Sequence, residues 1–182
     1  LILRGLGLLA RGRAAGLSEF DNTPDGLLGS LAPLIAFPLV GAGWNAVQGQ
    51  PEVAVVGFLA RLCGVLVLPV IVSRFARALG REPFWLRTAA ALSWSFWLIL
   101  PLLLVAAMLG ALLVHFGLDV NAAGYAGLAA IAAYLLWLHW FIARHGLRIG
   151  GWAAAALVVV NSAAVGGLTD GQALLDWVWH IL

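Results

Sequence analysis

Residues 53–72, VAVVGFLARLCGVLVLPVIV, decide the fold: they form an apolar run long enough to cross a bilayer with a single charge, Arg61, inside it. Arg61 stands eight residues beyond Val53. At about 1.5 Å per residue that is roughly 12 Å into a hydrocarbon core of about 30 Å. A central arginine costs about 2.5–3.5 kcal/mol even on mild insertion scales, so the residue needs partners. Ala54, Gly57 and Gly64 share its helical face, which predicts an arginine turned toward a neighbouring helix, with Gly57 and Gly64 as packing positions.

The rest of the chain is of the same kind. Its 182 residues are 63% hydrophobic and only 10% charged, with mean hydropathy +1.01, more apolar surface than one soluble core can hide. The net charge of +2 comes from arginines in short connections, with no lysine, which is a topology signal and excludes a nucleic-acid surface. The lone Cys63 has no partner for a disulfide or a thiolate cluster and reads as a buried, inert thiol.

The expected class is an all-α polytopic membrane protein. Residues 1–22 form an N-terminal interfacial segment whose helix sets Arg4, Arg11 and Arg13 toward anionic headgroups, and no cleaved signal peptide is expected there. Thr23, Pro24 and Asp25 open a five-helix transmembrane bundle over residues 23–168. Its spans fall at about 27–47, 53–72, 89–114, 122–142 and 149–168. Pro33 and Pro38 bend the first, and Asn121 caps the fourth. Residues 74–87 form the longest polar connection. Thr169-Asp170-Gly171-Gln172 has capping-box spacing, predicting a short amphipathic C-terminal helix over residues 169–182 with Trp177 and Trp179 at the interface.

Loop charges set the orientation. Arg74, Arg77, Arg81, Arg87, Arg144 and Arg148 fall on one side with the N-terminal arginines, whereas Glu52, Asp119, Asp170 and Asp176 fall on the other. The expected location is a bacterial inner membrane, N-terminus cytoplasmic and C-terminus periplasmic.

With no Asp or Glu deep in any span, the company for Arg61 must be neutral. Asn161 and Ser162 in the fifth span, Tyr134 in the fourth, and carbonyls released by prolines are the available groups, giving an expected mid-depth cluster of Arg61, Asn161, Ser162 and Tyr134. His139, between Trp137 and Trp140, is a candidate pigment or haem ligand, although no two histidines face one another as a bis-histidine site requires. Ala123, Gly127 and Ala130 predict close helix packing on the fourth span. Metal-ligand spacings, phosphate-cradling loops and nucleophile-base arrangements are missing from the sequence, so neither a metal, a required cofactor nor an enzyme is expected.

The entry Phe20-Asp21-Asn22-Thr23-Pro24-Asp25-Gly26-Leu27-Leu28-Gly29 into five spans resembles the Yip1-type membrane family. The family's acidic, glycine-containing motif maps onto Asp25, Gly26 and Gly29, and Gly124-Tyr125 is similar to a Gly-Tyr pair that the family carries in a later span. The resemblance implies membrane organisation rather than catalysis. The expected function is a non-catalytic scaffold or accessory subunit of a larger inner-membrane complex, with membrane lipids and other integral membrane subunits as partners. The alternative is a small transporter, or a lipid- or quinone-binding protein, that uses Arg61.

Overall fold

A computed structural model describes residues 2–49 and 51–169. The chain is an all-α integral membrane protein: the described residues form helices α1 (Ile2–Ala10), α2 (Pro24–Val47), α3 (Pro51–Ala78), α4 (Trp85–Ser95), α5 (Ile99–His115), α6 (Val120–Gly146) and α7 (Gly151–Thr169), without a strand. Five segments are long and apolar enough to cross a membrane: α2, α3, the joined stretch Glu82–His115 that holds α4 and α5, α6 and α7. The amphipathic helix expected beyond Thr169, with Trp177 and Trp179, lies outside the described residues.

Local chemistry explains the starts. The Thr23 hydroxyl accepts from the Gly26 amide at 3.1 Å, Pro24 follows in the first turn, and Asp25 meets the positive end of the helix dipole. On α6 the cap is Asp119 rather than Asn121, because the Asp119 carboxylate accepts from the Ala122 amide at 3.0 Å and starts the helix two residues earlier.

The expected polar connection between the second and third spans is mostly helix. α3 runs through Arg74 and Arg77 to Ala78, where Gly80 turns the chain with φ of 64°. Cations suit the negative end of a helix, and their long stems let the charges reach water. The third span then begins at Glu82. Asn22 ties the entry segment to this start: its Nδ2 donates to the Pro83 carbonyl at 2.8 Å and its Oδ1 accepts from the Arg87 amide at 3.0 Å.

Packing is concentrated at the arginine-bearing end. There α4 is the buried centre, with Thr88 through Ser93 and Ser95 all enclosed, packed against α2, α3 and α6. Gly146 permits the α4–α6 approach, since an added Cβ would stand 2.5 Å from the Thr88 hydroxyl oxygen. The same end is closed by α1, a 3-10 turn at Ala14–Glu19 and the residue that follows it: Leu6, Leu9, Leu17 and Phe20 join the core. The N-terminal segment is therefore docked on the bundle through its apolar face while Arg4, Arg11 and Arg13 remain exposed.

Toward the acidic end the bundle opens. α5 has no buried residue and packs mainly on α6, where Gly127 approaches Ala106 and Ala123 is buried. Its leucines face outward, as lipid contact allows.

Candidate functional site: a cavity beside Arg61

Where the bundle begins to open, α2, α3, the α4–α5 junction and Val165 of α7 enclose a cavity of about 400 Å³. Three prolines shape it. A helical carbonyl accepts from the amide four residues on, and proline has no amide hydrogen. Pro38, Pro69 and Pro101 thus withhold that donor from the carbonyls of Leu34, Val65 and Trp97, all three of which line the cavity. On the third span the result is visible as a short 3-10 turn, Phe96–Leu98, between α4 and α5.

The floor is built from buried Gly64, Leu68 and Ser93, and the mouth from exposed Phe37, Arg61, Ile99 and Leu100. Phe37 and Trp97 meet at the mouth with ring centroids 5.3 Å apart. Most of the surface is hydrocarbon, and two of the lining residues carry a polar atom that is itself buried. Ser93 is 1% exposed and its Oγ has no hydrogen-bond partner, and the buried Nε1 of Trp97 has none either. Buried polar groups are normally paired, so two orphans in one cavity are a signal.

Arg61 borders this space and does not point into a helix interface as expected. Gly57 contributes room for the side chain: a Cβ there would lie 3.3 Å from Arg61 Nη1 and meet nothing on another helix, so Gly57 accommodates the arginine and is not a packing position. Gly64 is buried in the cavity floor. Among the described residues the ion pair is Arg4 with Glu19 at 3.6 Å, and no hydrogen bond or ion pair holds the Arg61 guanidinium.

The expected four-residue cluster does not form among the described residues. Tyr134 belongs to the arginine-bearing end, where its hydroxyl donates to the Ala10 carbonyl at 2.7 Å. Ser162 is exposed. Asn161 is buried with Oδ1 unpartnered, one helical turn before the cavity-lining Val165, and makes no hydrogen bond to Arg61. The physical reason is depth: Tyr134 has been drawn to the docked N-terminal segment, away from mid-membrane. Ala130 is exposed on a groove between α5 and α6, unlike Ala123 and Gly127, which pack. Cys63 is exposed rather than buried, which a small apolar side chain tolerates in lipid.

His139 has a partner that periodicity within one helix could not reveal. Its Nε2 lies 3.1 Å from Ser95 Oγ, and Phe96 packs edge-on against the ring at 5.1 Å. Ser95 is fully buried and donates its own proton to the Leu92 carbonyl at 2.7 Å. With that proton committed, His139 is the donor in the pair, which makes it an interhelical tie between α4 and α6. Axial ligation through Nε2 would require breaking the tie.

In the sequence Ser93 and Trp97 are marked by spacing alone. Ser93, Trp97 and Pro101 follow one another at four-residue spacing, as do Arg61, Val65 and Pro69, so each trio runs along one helical face. No protein-family model matches the chain, and neither a curated protein nor a solved structure matches it.

Proposed function

We propose that this is a non-catalytic membrane protein that holds an apolar, head-group-bearing ligand, a lipid or a quinone, in the cavity beside Arg61. The supporting observation is a mid-depth cavity of about 400 Å³, walled by hydrocarbon, that reaches a guanidinium unpaired among the described residues. That volume lies in the range of small-ligand sites. A transporter of polar solutes would need a polar lining, so the walls favour an amphiphile. In the Ser95–His139 contact the serine is buried and its proton is engaged, which favours a structural role over a nucleophilic one.

The scaffold or accessory-subunit reading is supported by a different feature. α5 buries none of its residues, as a helix with a neighbouring membrane subunit against it would. In both readings the protein belongs to a bacterial inner membrane with the arginine-bearing end cytoplasmic, because Arg74, Arg77, Arg81, Arg144 and Arg148 gather there. The likeness to Yip1-type proteins fits membrane organisation of either sort.

Organic extraction of protein purified in mild detergent, followed by mass spectrometry, tests the ligand reading. A co-purifying amphiphile near one per chain is expected, and it should be lost when Val65→Trp fills the cavity. Equal extracts from the wild type and a folded Val65→Trp variant would defeat it. Stoichiometric capture of an integral membrane subunit, with no amphiphile in the extract, would favour the scaffold.

A further inference from the structure

Resting on the ligand-holding reading, we propose that the cavity selects an oxyanion head group, the carboxylate or phosphate of a single-chain acidic amphiphile, bound by Arg61, the Trp97 indole N–H and the Ser93 hydroxyl. The polar atoms offered by side chains decide the sign. A guanidinium and an indole nitrogen are donors only, and a serine hydroxyl adds a further donor. The group they leave room for is therefore an acceptor.

Charge then separates an acid from a neutral carbonyl. The acidic residues on the described spans, Asp25, Glu52 and Glu82, all lie in first turns at the membrane faces. None is at the depth of Arg61, so no carboxylate of the described residues neutralises it. A quinone or an ester would satisfy a hydrogen bond and leave the positive charge uncompensated, whereas an oxyanion does both and pairs in bidentate fashion. The guanidinium has five donors, and a bidentate oxyanion occupies two. Pro38 and Pro69 also leave the carbonyls of Leu34 and Val65, residues of the same wall, without their regular helical donor. A volume of about 400 Å³ with an open mouth at Phe37 and Leu100 suits one hydrocarbon chain leaning into the bilayer.

Displacement of a fluorescent fatty-acid analogue from the full chain in delipidated detergent micelles tests this. The competitors are oleate, oleoyl lysophosphatidate, oleyl alcohol and a decyl quinone. One or both acids should displace the probe about tenfold more effectively than the alcohol and the quinone, as a charge-assisted pair requires. Whether oleate or lysophosphatidate is the better competitor identifies the oxyanion's source. Arg61→Gln should erase the preference, Arg61→Lys should keep part of it, and Ser93→Ala and Trp97→Phe should each weaken the acids several-fold while sparing the alcohol, all in variants that remain monodisperse. Equal displacement by acids and neutral amphiphiles, unchanged in Arg61→Gln, would overturn the oxyanion assignment and leave the ligand cavity standing. If neither the probe nor any competitor binds, the cavity reading falls with it.

Discussion

The hydroxyl of Tyr134, on α6, donates at 2.7 Å to the carbonyl of Ala10, the last residue of α1, joining positions 124 residues apart. Ala10 ends a helix, where carbonyls lose their intrahelical partners, so the bond fills a vacancy that the helix itself creates. With Trp137 packed 3.4 Å from the position of a Cβ on Gly12, it fixes the N-terminal segment to the bundle. Replacing Tyr134 with Phe should cost about 1 kcal/mol, and hydrogen exchange should show residues 2–20 losing protection while α3 and α7 keep theirs. Unchanged exchange in α1 would mean that apolar docking alone suffices.

The α4–α6 contact should be the least forgiving place in the core. Gly146→Ala drives a methyl group against Thr88 and should destabilise by about 1–3 kcal/mol, read as a lowered midpoint in detergent thermal unfolding. Gly29→Ala, in open space on a helix, is the control: it should be neutral or slightly stabilising. Equal effects at the two positions would contradict the packing.

How far the sequence could be read followed the range of the forces involved. Span number and the Thr23 cap are legible because hydropathy and capping are local properties. The end of α3 was misjudged because arginine reads as a loop residue, although at a helix C-terminus it suits both the dipole and the interface. The site was half legible. Arg61 is evident as a charge in an apolar run, but polarity and depth point to Asn161, Ser162 and Tyr134 as its partners, and none of them reaches it. Ser93 and Trp97 are not legible in the sequence, because a serine and a tryptophan are ordinary in a membrane helix until both polar atoms are buried without partners. The Ser95–His139 tie depends on which helices are neighbours, and no single-helix periodicity carries that information.

Cys63 provides a test of membrane burial without any engineering, being the one cysteine in the chain and exposed on α3. A membrane-impermeant thiol reagent should leave it unmodified in intact membranes and react after denaturation in detergent. Prompt labelling from either aqueous side would place that part of α3 in water.

Sidedness is checked with new cysteines in a Cys63→Ala background. Positions 49 and 118 should be labelled from one side and position 80 from the other, because Gly49 and Leu118 follow α2 and α5 at the acidic end while Gly80 follows α3 at the arginine-bearing end. Labelling of positions 49 and 80 from the same side would refute the order of spans.

The His139–Ser95 tie should be structural. Ser95→Ala should lower thermal stability by about 1 kcal/mol and leave amphiphile displacement unchanged, since neither residue lines the cavity. A loss of binding with unaltered stability would instead place the pair in the ligand's path.

The most direct measurement of a ligand beside Arg61 is photo-crosslinking in membranes with a diazirine-bearing fatty acid, the adducts being mapped by peptide mass spectrometry. Label is expected to concentrate on the cavity wall, at Phe37, Val65 and Leu100, and to fall in Arg61→Gln. Label spread over the outward faces of α5 and α6, equal in wild type and Arg61→Gln, would show that the cavity holds no fatty acid.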